Sequence, residues 1–459
     1  AIATIRKDTS SRSMGGVAVK HANNYFFTGH EQHARMFIEA MRKLLELYIQ
    51  DGDASDVRSC DHLLSEYDRI EEGPAFTPEQ QRELGGILYK IAHMLTYAKT
   101  TVKPSDIPHG NNWNATGASH AGFYFSRYYP ELPIGKTILD TLDIYYEPNM
   151  VNWKVNEDCP GYGNITLTGN YDWALNRPDR RFFDLDCLRM MADYDMLICD
   201  NSARVSGFGD ASGLSAYLVE GYLLAAWKYK DGRYLWWWDN HGGGPRRWWV
   251  PDDVIARVRP DDLVGLKTAP LADWIYRWQA GRRAPTFPVG ECFDKVSFRS
   301  GLDTGDQYVC ISGHGYGFHA HPDANCIIRY SDKGQVRLYD DGYMIPTLSE
   351  HNTVTILKDG WAQDPPGLSQ VTANADFENI GIFESRLGSY NGVDWDRAVI
   401  WPKGRWFLVI DDLRCIDPAE YGFQCIGRAM GNAELDGSHW TAVKEGDEFN
   451  LHVAADVSL

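Results

Sequence analysis

The run GFHAHPDANC, Gly317 to Cys326, sets two imidazoles and a carboxylate at alternate positions. In an extended segment side chains alternate, so His319, His321 and Asp323 share one face while Ala320 and Pro322 take the other. Such groups cost free energy when buried alone, and a metal, a substrate or one another must pair them. LYDDGY around Asp340 and EHNTV around His351 follow closely. Neutral imidazoles with one carboxylate are the natural ligand set for zinc. His321, Asp340 and His351 would supply three ligands from successive strands or strand ends, with His319 left to face a cleft. The alternative is a set of hydrogen-bonded surface histidines. Asp323 would orient a histidine or close a turn after Pro322.

Three other stretches carry chemistry. In HGNNWNATGASH, His109 to His120, the amides of Asn111, Asn112 and Asn114 could donate to an anionic group, or cap helices and form turns. In NEDCPGYGN, Tyr162 reads as a loop residue behind Pro160 and Gly161, a packing ring or a proton donor. Asp210 stands in SGFGDASG. The run YLWWWDNHGGGPRRWWVP carries Trp236, Trp237, Trp238, Trp248 and Trp249 beside Arg246 and Arg247. These residues could line a sugar groove with local positive charge, or pack the helices they sit on.

The elements that would hold these residues fall in two halves. From about residue 31 to 280 the pattern is helical: HARMFIEAMRKLLELYIQDG places Met36, Phe37, Met41, Leu44, Leu45 and Tyr48 near a 3.6-residue period. RELGGILYKIAHMLTYAKT, GKTILDTLDIYYEPNM, DLDCLRMMADYDMLICDN and LSAYLVEGYLLAAWKYKDG repeat it, which predicts stacked helical hairpins. QAGRRAPTFPVG, Gln279 to Gly290, reads as a linker. Beyond it, KVSFRSG, QYVCISG, NCIIRYS, QVRLYDDG, HNTVTILKDG, DRAVIWPKG and RWFLVIDDL are short runs rich in β-branched and aromatic residues, separated by turns. We expect two domains, a helical one over 1–284 and an antiparallel β-sandwich over 285–459, with a cleft where they meet.

Composition narrows the function. The chain has 459 residues, 44% hydrophobic and 13% aromatic, with 16 Trp and 25 Tyr, which excludes a disordered protein. A net charge of −18 argues against nucleic acid as a partner. The nine cysteines include no C-x-x-C pair, so neither a dense disulfide framework nor a cysteine zinc site is expected. No apolar run approaches the roughly 18 residues of a membrane span, so no membrane partner is expected. The N-terminus lacks a signal-peptide core, and a cleaved signal would leave the same sequence. The last residues, FNLHVAADVSL, read as a strand without a closing turn, so the chain is expected to be truncated at its C-terminus.

FRSG, HAHPDAN, LYDDG, HNTV and DRAVIWPKGRWFLVIDDL, in this order over about 291–415, resemble the heparinase II/III-like polysaccharide lyases, which include alginate and heparin lyases. The resemblance implies an incomplete α/α toroid followed by an antiparallel β-sandwich. It also implies a carbon–oxygen lyase that cleaves a uronic-acid-containing polysaccharide or oligosaccharide by β-elimination, leaving a 4,5-unsaturated uronyl end. Asn112 and His319 would neutralise the uronate carboxylate, and Tyr162, about fifty residues after Asn112, would protonate the leaving oxygen and could double as base. Asn111, Trp113, His120, Arg246, Trp248 and Tyr343 are expected to bind substrate. His321, Asp340 and His351 would hold a structural zinc or another divalent metal. The usual asparagine–asparagine–histidine loop has Trp113 in place of histidine, which leaves the base open among Tyr162, His109, His120 and Tyr343. The resemblance favours a secreted or periplasmic enzyme over a cytoplasmic one and leaves a homo-oligomer open. The competing classes are a zinc-dependent glycoside or ester hydrolase and an inactive polysaccharide-binding protein.

Overall fold

The computed structural model describes residues 11–51, 63–97, 113–211, 213–214, 216–244, 255–278, 288–340 and 342–455. It divides into two compact units, one of Ala1–Val151 with Ile165–Phe182, the other of Asn152–Asn164 with Phe183–Leu459. The linker centre, 279–287, lies outside the described residues.

The first unit is helical. Its helix Glu31–Asp51 buries Met36, Phe37, Met41, Leu44 and Tyr48 along the predicted stripe. Arg42 on its outer face grips Glu83 of the helix Pro78–Tyr97 through two bonds of 2.7 Å. Helices pair as antiparallel hairpins: Ser11–Thr28 with Glu31–Asp51, and Trp113–Tyr128 with Pro133–Tyr146. In the second hairpin a Cβ on Gly135 would lie 2.5 Å from the backbone of Ser126, so only glycine allows that approach.

The second unit carries the helices Cys187–Leu197, Glu220–Tyr229 and Gly232–Asn240, then the sheets. Strands β1 (Gly265–Pro270), β2 (Phe293–Arg299), β3 (Tyr308–Ser312), β4 (Ile327–Asp332) and β5 (Gln335–Tyr339) form an antiparallel meander in chain order. The first of these lies inside the stretch read as wholly helical, a correction: GLKTAP is too short for its period to register beside long helices. After β6 (Val354–Lys358) and β7 (Trp361–Ala362), strands β8 (Gln370–Asp376), β9 (Ile380–Tyr390), β10 (Val393–Pro402) and β11 (Leu408–Cys415) form a four-stranded sheet. Then β12 (Tyr421–Cys425) pairs with β6, and β13 (Asn432–Asp436), β14 (His439–Lys444) and β15 (Asp447–His452) form a further sheet.

The five- and four-stranded sheets pack face to face. Leu266, Phe293, Val296, Phe298, Val309 and Ile311 from one meet Phe383, Val399 and Trp401 from the other in one buried cluster. Truncating a core aromatic such as Phe298 or Trp401 would cost about 3–5 kcal/mol. The opposite face of the five-stranded sheet is also covered, and β2 is buried at every position. There Arg299 donates to the carbonyls of Met196 and Cys199, and Arg329 to those of Val205 and Gly213, so buried guanidiniums satisfy the carbonyls of the overlying segments. The order is therefore a helical N-terminal region followed by antiparallel C-terminal sheets, as expected.

Candidate active site

The run 317–326 is not a strand: it is the loop between β3 and β4. Gly317 has φ +122°, His319 +54° and Asn325 +67°, conformations that end an extended run and turn consecutive histidines in different directions. A non-glycine residue held at positive φ costs free energy, and it persists where its surroundings fix it.

What fixes it is the buried, irregular segment Asn152–Pro160. The amide of Asp158 donates to the carbonyl of Phe318 and that of Phe318 to Asn156, each at 3.2 Å, and the Asp210 amide donates to the His319 carbonyl at 2.9 Å. A Cβ on Gly317 would sit 3.2 Å from the amide nitrogen of Asp158. This pairing sets Glu157 beside His319, with Oε2 2.9 Å from Nδ1. Burial pushes the Glu157 carboxyl up to about 7, against the pull of His319. The hydrogen bond that His319 donates to Glu157 raises its imidazole above the ordinary value.

Pro160 opens the helix Pro160–Asn176, so Tyr162 sits in the first turn of a helix, not in a loop. The sequence carried the sign, since proline suits the first helical position, where its missing N–H is not needed. The Tyr162 ring stacks on His319 with centroids 4.1 Å apart and planes at 17°. Its hydroxyl lies 3.1 Å from that of Tyr343, and this hydrogen bond, with partial burial, pushes the Tyr162 phenol up to about 12.

His321 points elsewhere. Its Nε2 lies 2.8 Å from Oδ1 of Asp210, which also accepts the Met344 amide at 3.0 Å and so ties the loop bearing Tyr343 to this histidine. His351 Nδ1 is 2.7 Å from Oδ1 of Asp340, and the rings of His321 and His351 are 5.5 Å apart. Burial alone would lower His351, but Asp340 carries it above its ordinary value; burial raises Asp340. His321 Nδ1, His351 Nε2, Asp340 Oδ2 and Asp323 Oδ2 are all buried without a hydrogen-bond partner. Each histidine thus has one ring nitrogen tied to a carboxylate and the other bare, the pattern of metal-ligating imidazoles held by an outer carboxylate. Asp340 Oδ1, however, already faces His351 Nδ1, and His321, Asp340 and His351 do not bring their ligand atoms within 4.8 Å of one another. Beside them opens a cavity of about 530 Å³ lined by Tyr316, Ala320, His321, Pro322, Pro346 and Asp364 among others.

A second buried cluster escaped sequence reasoning. Asp158, Asp294 and His314 bring potential ligand atoms within 4.8 Å of one another. Lys154 fills the centre, with Nζ 3.1 Å from Asp158 and 2.7 Å from Asp294, and Lys295 lies 3.4 and 3.1 Å from the same two carboxylates. His314 Nδ1 accepts the Tyr316 amide, which places the proton of the neutral ring on Nε2, facing Asp294 at 3.0 Å. Two ammoniums balance two carboxylates, and the imidazole lone pair is already used. We therefore read this cluster as an internal salt cluster rather than a metal centre.

The remaining expected residues separate. His120, on the helix Trp113–Tyr128, lies 3.6 Å from Asp172 within the first unit. Trp113 begins that helix. His109, Asn111, Asn112, Arg246 and Trp248 lie outside the described residues. Trp237 and Trp238 are buried, so packing is their role. Among the described residues six cysteines are buried free thiols, while Cys415 and Cys425 are exposed. No described helix is long and apolar enough to cross a membrane.

No family model matches the chain, and no curated protein matches it in sequence. Solved structures do match. A heparinase III superposes over 93% of this chain and 67% of its own with a TM-score of 0.64 at 12% identity. Another heparinase III superposes over 95% and 69% with a TM-score of 0.62 at 14% identity. A heparan sulfate lyase from Pedobacter heparinus superposes over 93% and 65% with a TM-score of 0.59 at 15% identity. The chain spans about two thirds of the length of these structures and has the fold of these heparinases.

Proposed function

We propose that this chain is a polysaccharide lyase acting on an anionic, uronate-containing polymer by β-elimination, in a secreted or periplasmic setting. The observation that carries the reading is the stacking of Tyr162 on His319, two residues singled out from separate motifs 157 positions apart, within one compact unit. A phenol pushed up to about 12 stays protonated near neutral pH, which suits a general acid that gives its proton to the departing 4-oxygen. Tyr343 holds that hydroxyl through the hydrogen bond between the two phenols. Asn112 and His319 are assigned to neutralise the uronate carboxylate, without which the C5 proton is too weakly acidic to leave.

His321, Asp340 and His351 would hold a zinc or another divalent ion, with Asp210 behind His321; Asp340 would join them by giving up its bond to His351. The bound ion would supply structural fixation of the loop that presents His319.

The test is a panel of uronate polymers read by ultraviolet absorbance, since a C4–C5 double bond absorbs and a hydrolytic product does not. Wild type should generate the absorbing product from at least one polymer without incorporating solvent oxygen. Tyr162→Phe should lower kcat by about 1000-fold with the fold intact. A soluble product bearing solvent oxygen and no new absorbance would replace the lyase with a hydrolase.

A further inference from the structure

We propose that Tyr343 is the base that takes the C5 proton, paired with Tyr162 as the acid on one side of the sugar, and that the enzyme therefore acts on uronates whose C5 proton and 4-oxygen lie on the same face of the ring. The inference rests on the lyase reading and deepens it, naming the base and the stereochemistry of the substrate.

Two separate supports bring the phenols together. Tyr162 sits in the first turn of the helix Pro160–Asn176, and the Tyr217 hydroxyl donates to the Pro160 carbonyl at 2.9 Å, which anchors that turn. Tyr343 rides on a tight turn in which the Ile345 amide donates to the Gly342 carbonyl at 2.6 Å and Met344 takes φ +58°. Asp210 holds this turn by accepting the Met344 amide, and a Cβ on Gly342 would lie 3.3 Å from the His321 ring. Both phenols belong to the second unit, Tyr343 is half exposed, and the two hydroxyl oxygens stand 3.1 Å apart.

The chemistry divides the pair. Of the groups left open as base, Tyr162 serves as the acid, His120 faces Asp172 in the first unit, and His109 lies outside the described residues. Tyr343 is the described candidate that reaches the acid. Its hydrogen bond is the largest cause that keeps the proton on Tyr162, and partial burial, Cys159 and Asp210 act the same way. One phenol holds its proton while the other can give its own up, the division that separates an acid from a base. His319, stacked on Tyr162, keeps the neutralising role at the carboxylate borne by C5.

Oxygens 3.1 Å apart must approach one face of the C4–C5 bond. In an anti elimination the proton and the leaving oxygen lie on opposite faces, so the sugar would stand between acid and base. A syn elimination sets them side by side, which the pair fits. Uronates of gluco and manno configuration carry the C5 proton and the 4-oxygen on one face. Their C5 epimers, ido and gulo, carry them on opposite faces.

The step balances. The Tyr343 phenolate takes the C5 proton, and the C5–H electron pair becomes the second bond between C4 and C5. The C4–O bond breaks, and the departing oxygen takes the Tyr162 proton. Tyr343 is left protonated and Tyr162 ionised, and a proton crossing their hydrogen bond resets the pair.

The experiment reads ultraviolet absorbance on two pairs of C5 epimers: polymannuronate against polyguluronate, and a glucuronate-rich glycosaminoglycan against an iduronate-rich one. Wild type should make the unsaturated end from the first member of at least one pair, and from the second member at least about 100-fold more slowly. Tyr343→Phe should lower kcat at least about 100-fold with KM changed less than about threefold and Tm unchanged. A synthetic uronate with nitrophenolate as its 4-leaving group needs no acid. On it Tyr162→Phe should come within about tenfold of wild type, while Tyr343→Phe stays defective. A phenol is a base only when ionised, so wild-type kcat/KM should climb from about pH 7 to 9.

Comparable or faster cleavage of polymers with proton and oxygen on opposite faces overturns the one-sided pair and leaves the lyase standing. Tyr343→Phe within threefold of wild type, its rescue by the nitrophenyl substrate, or a kcat/KM that falls over that pH range overturns the base assignment. If wild type makes no unsaturated product from any polymer, the lyase reading falls and the pair with it.

Discussion

Two buried ionic clusters of the second unit use the same residue types to opposite ends. Around Lys154, two carboxylates meet two ammoniums and a neutral imidazole, and among the carboxylate oxygens only Asp158 Oδ2 lacks a partner. Around His351, three carboxylates and two imidazoles have no lysine within ion-pair distance among the described residues, Lys295 acting on Asp323 from farther off, and four ligand-type atoms are bare. Burial alone would raise Asp158 and Asp294, yet the surrounding basic groups His314, Lys295 and Lys154 hold both below the ordinary value. Burial does raise Asp323, to about 7, and Asp340. The first cluster has its cations built into the chain; the second would need a cation from solution to be balanced in the same way.

The largest effect should come from removing a built-in cation. Lys154→Met leaves Asp158 and Asp294 facing each other with one ammonium, and the expected loss is about 3–5 kcal/mol in urea denaturation. A loss below about 1 kcal/mol would show that Lys295 alone suffices and would break the contrast. Added zinc should not restore the variant if the cluster is a salt cluster.

The metal should come next. Wild type should carry one divalent ion per chain by elemental analysis, and at a free metal concentration 100 times Kd the ion should add about 2.7 kcal/mol. Chelation should lower Tm and activity together, and His351→Ala should abolish the response. A chelated protein with full activity and unchanged Tm would remove the proposed site.

What the sequence made legible follows from range. Helix Glu31–Asp51 and strands such as β10 declare themselves through local periodicity, and His321, Asp340 and His351 through rare residue types close in sequence. Glu157 and His319 are 162 positions apart, and Lys154 and His314 are 160, so neither contact leaves a periodic trace. The loop 317–326 alternates like a strand, and only its positive φ angles, uncommon for residues other than glycine, undo that pattern. Pro160 was ambiguous because proline both breaks chains and begins helices. Five residues before Tyr162, a lone glutamate in NEDCPGYGN could have marked a partner for a catalytic ring, but nothing local said which ring.

The smallest effect separates the clusters by pH. Asp158 and Asp294 are depressed when folded, so their contribution is present above the ordinary 3.8 and is lost as pH falls through their lower folded values. Asp323 is raised to about 7 from 3.8, so its contribution is present below 3.8 and is lost as pH rises toward 7. Glu157, raised to about 7 from 4.5, acts in the same direction. Metal-free protein should therefore lose stability between about pH 4 and 7. Metal-loaded protein should lose less, because the cation favours ionised carboxylates. Asp323→Asn should remove part of the loss in the metal-free form, the Glu157 part remaining. Its effect should be the smaller one because Lys295 and His351 already oppose the burial of Asp323. Urea midpoints across that range, with and without chelator, measure all three slopes. If stability of the metal-free protein rises from pH 4 to 7, the carboxylates of the second cluster are already neutralised by a group of the chain, and the two clusters are built alike.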